Sequence, residues 1–291
     1  MPDPIIQVRD LKKTYPGGVE AVRGVSFDVH PGEFFGFLGP NGAGKTTTIN
    51  MLVNLVKRTS GEITIDGLTL EKNAREIYER IGFAMQEVGL DETATAREML
   101  QLHGRLYHMP KDRIDAQIAM LLKLVELEKV ADRYTHTYSG GMRRRFDLAL
   151  SLIHEPKILF LDEPTQGLDP HARQLIWKYL RELNNPPRPS ANEGMSENPP
   201  RPSGGEGAGG EGKPGTTIFL TTHFMEEAQA LCSRLAIMDK GQIVTEGSVP
   251  ELLERHQAAN LEEVFLKTTG STLGDEQVNL KAADPYARSR M

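Results

Sequence analysis

The sequence predicts an α/β fold, and three observations lead to that prediction. Short strand-like runs occur at residues 34–38, 158–161 and 217–222 of the 291-residue chain. The first two runs are each followed by a polar turn and then by a run with helical periodicity, an order typical of sheets covered by helices. Polar side chains follow directly after these strands, at the sheet edge where α/β folds place their chemistry. We therefore expect a functional site at that edge.

The first part of the chain predicts additional strands outside this core. Residues 5–8 and 25–29 are short strand runs on either side of a turn-rich stretch at 15–18, and residues 61–67 alternate like a half-exposed strand. Tyr15 stands just before that turn. Taken alone, it is either an ordinary surface residue or an aromatic platform for an adenine ring, which would gain from stacking.

The stretch after the strand at 34–38 has the pattern Gly-x-x-x-x-Gly-Lys-Thr and leads into a helix-prone run. Its residues are Gly39, Pro40, Asn41, Gly42, Ala43, Gly44, Lys45 and Thr46, with Thr47 next. Glycines let successive N–H groups turn inward around phosphates, and the helix N-terminus adds partial positive charge. Lys45 can reach the β- and γ-phosphates, and the Thr46 hydroxyl can bind Mg²⁺. The pattern predicts a nucleotide site.

Helices interrupt the α/β pattern after a strand at residues 81–85, which ends at Gln86. The sequence Thr-Ala-Arg-Glu at 95–98 is a capping box that opens a helix to about residue 108. A second helix is predicted over 111–127, since its apolar residues recur at helical spacing. These features predict a helical subdomain over about residues 87–155.

The run Ser139-Gly140-Gly141 is a second candidate for binding an anion. Ser139 stands where a helix N-cap belongs, and the two glycines leave its N–H groups approachable. Three arginines follow at 143–145, although the first turn of a helix favours acidic residues. They form either a solvated basic face or a group directed at a polyphosphate, and the sequence leaves both open.

Two carboxylates, Asp162 and Glu163, end the apolar strand that begins at residue 158. Asp162 can hold Mg²⁺ directly or through water, and Glu163 can accept a proton from the water that attacks the γ-phosphate. Asp169-Pro170 then starts a helix, within which Trp177 is expected to pack in the core. These carboxylates complement the phosphate loop.

His223 ends the last core strand, at 217–222. From the residues alone it is equally a satisfied structural group or a contact for the γ-phosphate. Two further strands are predicted at 235–239 and 242–246, followed by short helices at 248–256 and 261–266 and a loose tail after residue 270.

Residues 184–215 are rich in proline and glycine and contain no Val, Ile, Leu or aromatic residue. The segment Asn-Pro-Pro-Arg-Pro-Ser occurs twice within them. Such a composition buries too little apolar surface to offset the entropy of ordering. We expect a disordered insert that is inert for catalysis, the alternative being a docking segment of the kind that Pro-rich stretches provide.

Composition limits the classes of function. A net charge of −6 argues against a nucleic-acid-coating role, and the single cysteine, Cys232, excludes an internal disulfide framework or a Cys-rich metal site. No run reaches about 18 apolar residues, so we expect any membrane role to come through a partner.

Taken together, these motifs resemble those of the nucleotide-binding subunit of an ABC transporter, over about residues 5–246 apart from the insert. The loop at 39–46 resembles the Walker A motif, and residues 158–163 resemble Walker B with catalytic Glu163. By the same resemblance, Tyr15 is the aromatic residue that stacks on adenine, and Gln86 is the Mg²⁺-contacting glutamine of the loop that joins the two lobes. Ser139, Gly140 and Gly141 match the signature sequence. Asp169 matches the acid of the D-loop, and His223 matches the switch histidine. Tyr138 and Met142 depart from the commonest signature, which has Leu and Gln there.

The resemblance implies a P-loop NTPase (RecA-like) core, about residues 5–86 and 156–246, with an antiparallel β subdomain, the inserted helical subdomain and C-terminal helices and tail over 247–291. It implies ATP and Mg²⁺ as cofactors and a head-to-tail pair of such subunits, with ATP between one Walker A and the other chain's signature. The sequences at 165–170 and 261–270 resemble the drug-resistance branch of ABC-2 type exporters. We therefore expect an export ATPase at the cytoplasmic face of the membrane, bound to a separate ABC-2 type permease.

The motifs favour export over three rival functions. Import is less favoured because residues 165–170 and 261–270 resemble ABC-2 type exporters. Work on nucleic acid or ribosomes is less favoured because the chain has one cassette, one cysteine and a short helical subdomain. A non-hydrolysing regulator is less favoured because Glu163 and His223 are both present.

Overall fold

The computed structural model describes residues 3–85, 89–184 and 215–270. Gln86, nearly all of the Pro/Gly-rich insert and the predicted loose tail lie outside the described residues, so the expectations for them stay predictions.

The described strands and helices include the predicted ones in their predicted order, together with a short strand at 68–69 and a helix at 70–78 that the sequence did not predict. The strands are β1 (Ile6–Tyr15), β2 (Val19–Val29), β3 (Phe34–Leu38), β4 (Ser60–Ile65), β5 (Leu68–Thr69), β6 (Ile81–Ala84), β7 (Ile158–Asp162), β8 (Thr217–Thr222), β9 (Arg234–Asp239) and β10 (Gln242–Gly247). The helices are α1 (Lys45–Leu52), α2 (Leu70–Tyr78), α3 (Ala96–Leu106), α4 (Lys111–Leu124), α5 (Gly140–Leu152), α6 (Pro170–Asn184), α7 (Met225–Leu231), α8 (Val249–Arg255) and α9 (Leu261–Thr269). No described helix is both long and apolar enough to cross a membrane.

Within the described ranges the strands form two sheets, which confirms the predicted α/β class. The smaller sheet has the order β2-β1-β4-β5 and is antiparallel. The larger has the order β10-β9-β3-β8-β7-β6, and its strands are parallel except for β10. β1 and β2 extend beyond the runs predicted at 5–8 and 25–29 because they pair as a long ribbon up to the turn, where Tyr15 opposes Val19.

An aromatic cluster joins the two sheets. Phe27 of β2 packs against Phe37 of β3, with ring centroids 5.0 Å apart, and Phe37 lies 5.1 Å from Phe219 of β8. All three rings are at most 4% exposed. Aromatic side chains bury large apolar areas, so this cluster fixes the antiparallel ribbon on one face of the core sheet. Helices cover its other face with a second apolar cluster.

The helical segment between β6 and β7 begins with the predicted capping box. Thr95 accepts the Glu98 N–H, and the Glu98 carboxylate accepts the Thr95 N–H. Helix α4 ends at Leu124, before the predicted end at residue 127. Glu126 has a φ of +54°, a left-handed conformation that a helix cannot continue through. Trp177 packs partly buried against the core, and its indole N–H donates to Glu227 at 3.0 Å.

Candidate functional site

The site is built where three neighbouring parallel strands of the core sheet end. β8 lies between β3 and β7, with Leu38 opposite Thr222 and Asp162 opposite Thr221. The loop after β3, the carboxylates ending β7 and the histidine after β8 therefore meet at one edge. This is the sheet edge at which the sequence predicted the site. The order of the strands, which brings the loop, the carboxylates and the histidine together, could not be predicted from the sequence.

Two glycines of the loop after β3 are required for different reasons. Gly44 has a φ of +105°, and an added Cβ would lie 2.4 Å from the Ala21 carbonyl oxygen. At Gly39 the φ is ordinary, but a Cβ would lie 2.2 Å from the carbonyl oxygen of Met238. The loop is therefore glycine-rich partly for backbone conformation and partly because β9 and the β-ribbon approach it closely.

Lys45 is buried beneath this loop, with 4% of its surface exposed. Its Nζ donates to the carbonyls of Gly39 at 2.8 Å and Pro40 at 3.0 Å, and it lies 3.5 Å from Glu163 Oε1. Burial lowers the pKa of Lys45, although the carboxylates of Glu163 and Asp162 act in the opposite direction. The ammonium group is thus held inside the loop, between backbone carbonyls and an acid.

Asp162 is held by two hydroxyls. Thr46 Oγ1 donates to Asp162 Oδ1 at 3.2 Å, and Thr221 Oγ1 donates to the same oxygen. Burial raises the pKa of Asp162, and the hydrogen bonds from Thr221 and Thr46 reduce that rise without cancelling it. A carboxylate beside a hydroxyl, next to a phosphate loop, suits Mg²⁺, which takes one or two protein oxygens and completes its shell with phosphate and water. The donor set therefore fits that ion.

Glu163 has a strained backbone and an unpaired buried oxygen. Its φ is +48°, and its N–H donates to the carbonyl and the hydroxyl of Thr221 at 3.0 and 3.2 Å. Its Oε1 lies 3.2 Å from Nδ1 of His223. Oε2 is buried and has no hydrogen-bond partner in the described part of the chain. An oxygen in that state is free to accept a proton or a water molecule.

The charge state of Glu163 follows from its neighbours. Burial acts to raise the pKa of its carboxyl group, but the contacts with His223 and Lys45 outweigh it, and the net pKa lies below the usual range. Glu163 is therefore an ionised carboxylate in a largely buried place, which is the form that accepts a proton.

Ser139 forms the N-cap of α5, as the sequence indicated, since its Oγ accepts the Met142 N–H at 3.3 Å. Ser139 and Gly140 are exposed, and a Cβ added at Gly140 would meet nothing within 4 Å. Across the three described ranges, no hydrogen bond joins these residues to the loop at 39–46. The unusual Tyr138 is buried, with its hydroxyl donating to the Val130 carbonyl at 2.8 Å.

The three arginines after the signature segment are bound within the chain and do not form a common solvated face, while a role toward a polyphosphate stays a prediction. Arg143 pairs with Glu92 at 3.1 Å, and Arg145 donates to the Val125 carbonyl at 2.7 Å. Arg144 is buried and donates to backbone carbonyls after β6 and β7. Charge patterning could not show this, because the acceptors are carbonyls distant in sequence.

The remaining predicted site residues lie further out or are not described. Tyr15 is half-buried at the end of β1, with the Lys13 ammonium 4.8 Å from its ring centroid. Asp169 is exposed, and its carboxylate accepts the Ala172 N–H at 3.0 Å, capping α6. Gln86 lies outside the described residues, so its predicted roles stay predictions. Thr221 was not singled out from sequence, since a strand threonine carries no distinguishing pattern.

Comparison with known proteins identifies relatives across almost the whole chain. The family profile described as ABC transporter matches residues 22–166. The Nod factor export ATP-binding protein I of Paraburkholderia xenovorans (strain LB400) is 39% identical over 265 residues, 91% of this chain and 78% of that protein. The protein of the same name from Rhizobium meliloti (strain 1021) is 39% identical over 91% of this chain and 70% of its own length.

Solved structures give the same result for the fold. An ATP-binding subunit of an ABC transporter has a TM-score of 0.76 at 24% identity, covering 91% of this chain and 99% of that one. A dimeric ATP-binding cassette in a post-hydrolysis state, bound to ADP and Pi, has a TM-score of 0.69 at 25% identity, covering 84% of this chain and 98% of that one.

Proposed function

Because the chain belongs to the ABC transporter family, as an ATP-binding subunit with ATPase activity, we propose that its ATP hydrolysis drives export of a substrate through a separate membrane permease. The observation that carries the hydrolytic part is the convergence of Lys45, Asp162, Glu163 and His223 at one sheet edge, with a buried, ionised and partly unpaired carboxylate among them.

In this proposal the loop at 39–46 holds the phosphates of ATP. Backbone N–H groups of such a loop and the N-terminus of α1 favour an anion, and Lys45 exchanges its bonds to the Gly39 and Pro40 carbonyls for the β- and γ-phosphates. Thr46 and Asp162 would hold Mg²⁺, which when bound neutralises charge on the transferred phosphoryl group. Tyr15 would stack on the adenine ring.

Glu163 is the proposed general base. Its Oε2 is unpaired within the described ranges and can accept a proton from water, while His223, 3.2 Å from Oε1, orients the carboxylate and contacts the γ-phosphate. Gln86 and Asp169 complete the site as their motifs indicate. Each of these roles is testable by substitution.

A second copy of the chain is proposed to complete the site. Ser139, Gly140 and Gly141 begin a helix, which favours anions. In one chain, however, Ser139 and Gly140 are exposed, Gly141 is half-buried, and none of the three is hydrogen-bonded to the phosphate loop within the described residues. A head-to-tail dimer would place them against the partner's ATP. The dimeric arrangement of a structural relative supports this proposal.

The proposed permease contact is a groove between the core and the helical layer. It has a volume of about 390 Å³ and is lined by apolar and polar side chains that include Leu55, Tyr78, Met85 and Tyr107. The first three of these are large apolar or aromatic residues exposed by 39–59%. Exposed apolar groups clustered at a groove are typical of protein contact sites.

Export, rather than import, is proposed because the relatives described above are named as export ATP-binding proteins. We also propose an ABC-2 type permease and a place at the cytoplasmic face of the membrane, because residues 165–170 and 261–270 resemble ABC-2 type exporters.

The test is to co-express the chain with candidate membrane proteins from neighbouring reading frames and to reconstitute in sealed vesicles the pair that co-purifies. We expect hydrolysis by the pair to exceed that of the chain alone, and Tyr78→Glu in the groove to remove the stimulation while leaving the chain's own hydrolysis unchanged. Glu62→Gln, on the exposed face of β4, is a matched surface control. A reconstituted pair that hydrolyses ATP at the rate of the isolated chain would refute the transport coupling.

A further inference from the structure

Arg144 of α5 lies at a junction between the ends of two core strands. Its Nε donates to the Pro164 carbonyl at 3.0 Å. Its Nη2 donates to the carbonyls of Asp162 and Glu163 at 2.6 and 2.8 Å. The side chain is 7% exposed. One guanidinium from the helical layer therefore binds three consecutive peptide carbonyls, and the middle one belongs to the proposed general base.

Those carbonyls lie in a segment that needs such support. Glu163 has a φ of +48°, in the left-handed region that is costly for a side chain with a Cβ. A residue persists in that region only where its surroundings hold it there. On one side the N–H of Glu163 is bound by Thr221, and on the other side its carbonyl is bound by Arg144.

The same guanidinium also holds the end of β6. Arg144 Nη1 donates to the Met85 carbonyl, the first residue after that strand. A backbone hydrogen bond from Met85 reaches the carboxylate of Asp147, which stands one helical turn beyond Arg144 and 3.8 Å from its guanidinium. Met85 and Asp147 both line the groove of about 390 Å³. The groove wall and the backbone of Glu163 are thus bonded to one side chain.

We propose that Arg144 is a positioning residue for ATP hydrolysis, which holds Glu163 in its strained conformation and ties it to Met85 at the groove. Displacement of Met85 by a partner in the groove pulls on the guanidinium and so moves the carboxylate. This inference rests on the proposed roles of Glu163 and of the groove. It adds a direct mechanical link between them that does not pass through the nucleotide.

The first test compares Arg144→Met with Arg145→Met in the full-length chain. Arg145 is the next residue of α5, with a side chain 17% exposed that also donates to a backbone carbonyl, that of Val125. Since misplacing a catalytic group by about 1 Å costs about 100-fold, we expect Arg144→Met to lower kcat by about 10- to 100-fold. KM for ATP should stay within about twofold, because the phosphate loop is untouched. Arg145→Met should change kcat by less than about twofold.

A double variant shows whether Arg144 acts through Glu163. In a Glu163→Gln background, followed by single-turnover hydrolysis, adding Arg144→Met should cause little further loss, since residues that act as a unit are not additive. Arg144→Lys keeps the charge and a donor, so it should recover part of kcat. Full additivity with Glu163→Gln, or an Arg144→Met kcat within about twofold of Arg145→Met, would overturn the proposal.

Hydrogen–deuterium exchange provides a measurement independent of hydrolysis. Arg144→Met, or Arg144→Lys if the former does not fold, should speed exchange in a peptide spanning residues 160–166 relative to Arg145→Met. Asp147→Asn should speed exchange in that peptide and in residues 81–85 together, and a change confined to 81–85 would refute the link. If the wild-type chain does not hydrolyse ATP, the proposed function is wrong, but this inference is not thereby refuted. The exchange rates still show whether Arg144 holds the backbone of Glu163.

Discussion

Thr221→Val is the substitution that most directly tests how the site is assembled. Thr221 is fully buried in β8; its hydroxyl donates to Asp162 Oδ1 and accepts the N–H of Glu163. Valine has nearly the same shape but cannot form either hydrogen bond. A hydrogen bond to a charged group contributes about 1.5–3 kcal/mol. We therefore expect Thr221→Val to lower the free energy of unfolding by about 2–3 kcal/mol.

The matched control is Thr217→Val, at the other end of the same strand. Thr217 is 1% exposed, and its hydroxyl accepts the Gly32 N–H at 2.9 Å, a neutral hydrogen bond. Its loss should cost about 1 kcal/mol. Urea unfolding at neutral pH measures both values, and the two variants should share one m-value if only the folded state is changed.

The same pair of variants separates stability from function. Removing the Thr221 hydroxyl takes away a hydrogen bond that holds the pKa of Asp162 down, so its carboxylate binds a proton more readily. We expect Thr221→Val to need more Mg²⁺ for half-maximal hydrolysis, and Thr217→Val to need the wild-type amount. Equal stability losses and equal Mg²⁺ dependence in the two variants would refute the reasoning.

Three further outcomes are expected. Glu163→Gln should bind ATP normally and hydrolyse it about 10²- to 10⁴-fold more slowly. With ATP it should accumulate as a closed dimer, which size-exclusion chromatography detects. Unchanged turnover would show that Glu163 is not the general base. Gly44→Ala should lower the melting temperature far more than Gly17→Ala. Both glycines have a positive φ, but only at Gly44 would an added Cβ meet backbone, 2.4 Å from the carbonyl oxygen of Ala21. Equal decreases in melting temperature would contradict this reasoning. Burial raises the pKa of Asp147 from 3.8 to about 6. The folded chain therefore binds the carboxyl proton of Asp147 more tightly than the unfolded chain does. The free energy of unfolding should fall by up to about 3 kcal/mol as the pH rises from about 4 to about 6. Urea titrations at several pH values should show a smaller fall in Asp147→Asn than in the wild type. If the free energies of unfolding of the two proteins change in parallel with pH, Asp147 is not the group responsible.

Much of the fold was predictable because its signals are local. The strand before residue 39, the glycine loop and the helix after it are adjacent in sequence, and the capping box at Thr95 and Glu98 spans four residues. The end of α4 was predicted three residues too late, since the apolar period continues past Leu124 while the backbone turns left-handed at Glu126.

The candidate site was predictable in its residue types and not in its connections. Sequence position after a strand identified Lys45, Asp162, Glu163 and His223, because the carboxyl ends of parallel strands face one edge. The roles of Arg144 were not predictable, since its acceptors are peptide carbonyls about 20 and 60 positions away, and every residue carries a carbonyl.

The sequence by itself therefore determined the phosphate loop, the two carboxylates and the family to which the chain belongs, because each depends on side-chain chemistry at short spacing. Only the tertiary structure decided that Thr221 binds both Asp162 and Glu163, and that Arg144 connects Glu163 to Met85. The physical reason is that these contacts depend on the order of strands in the sheet and on where α5 packs against it. Both are set by the burial of the whole core rather than by any local segment.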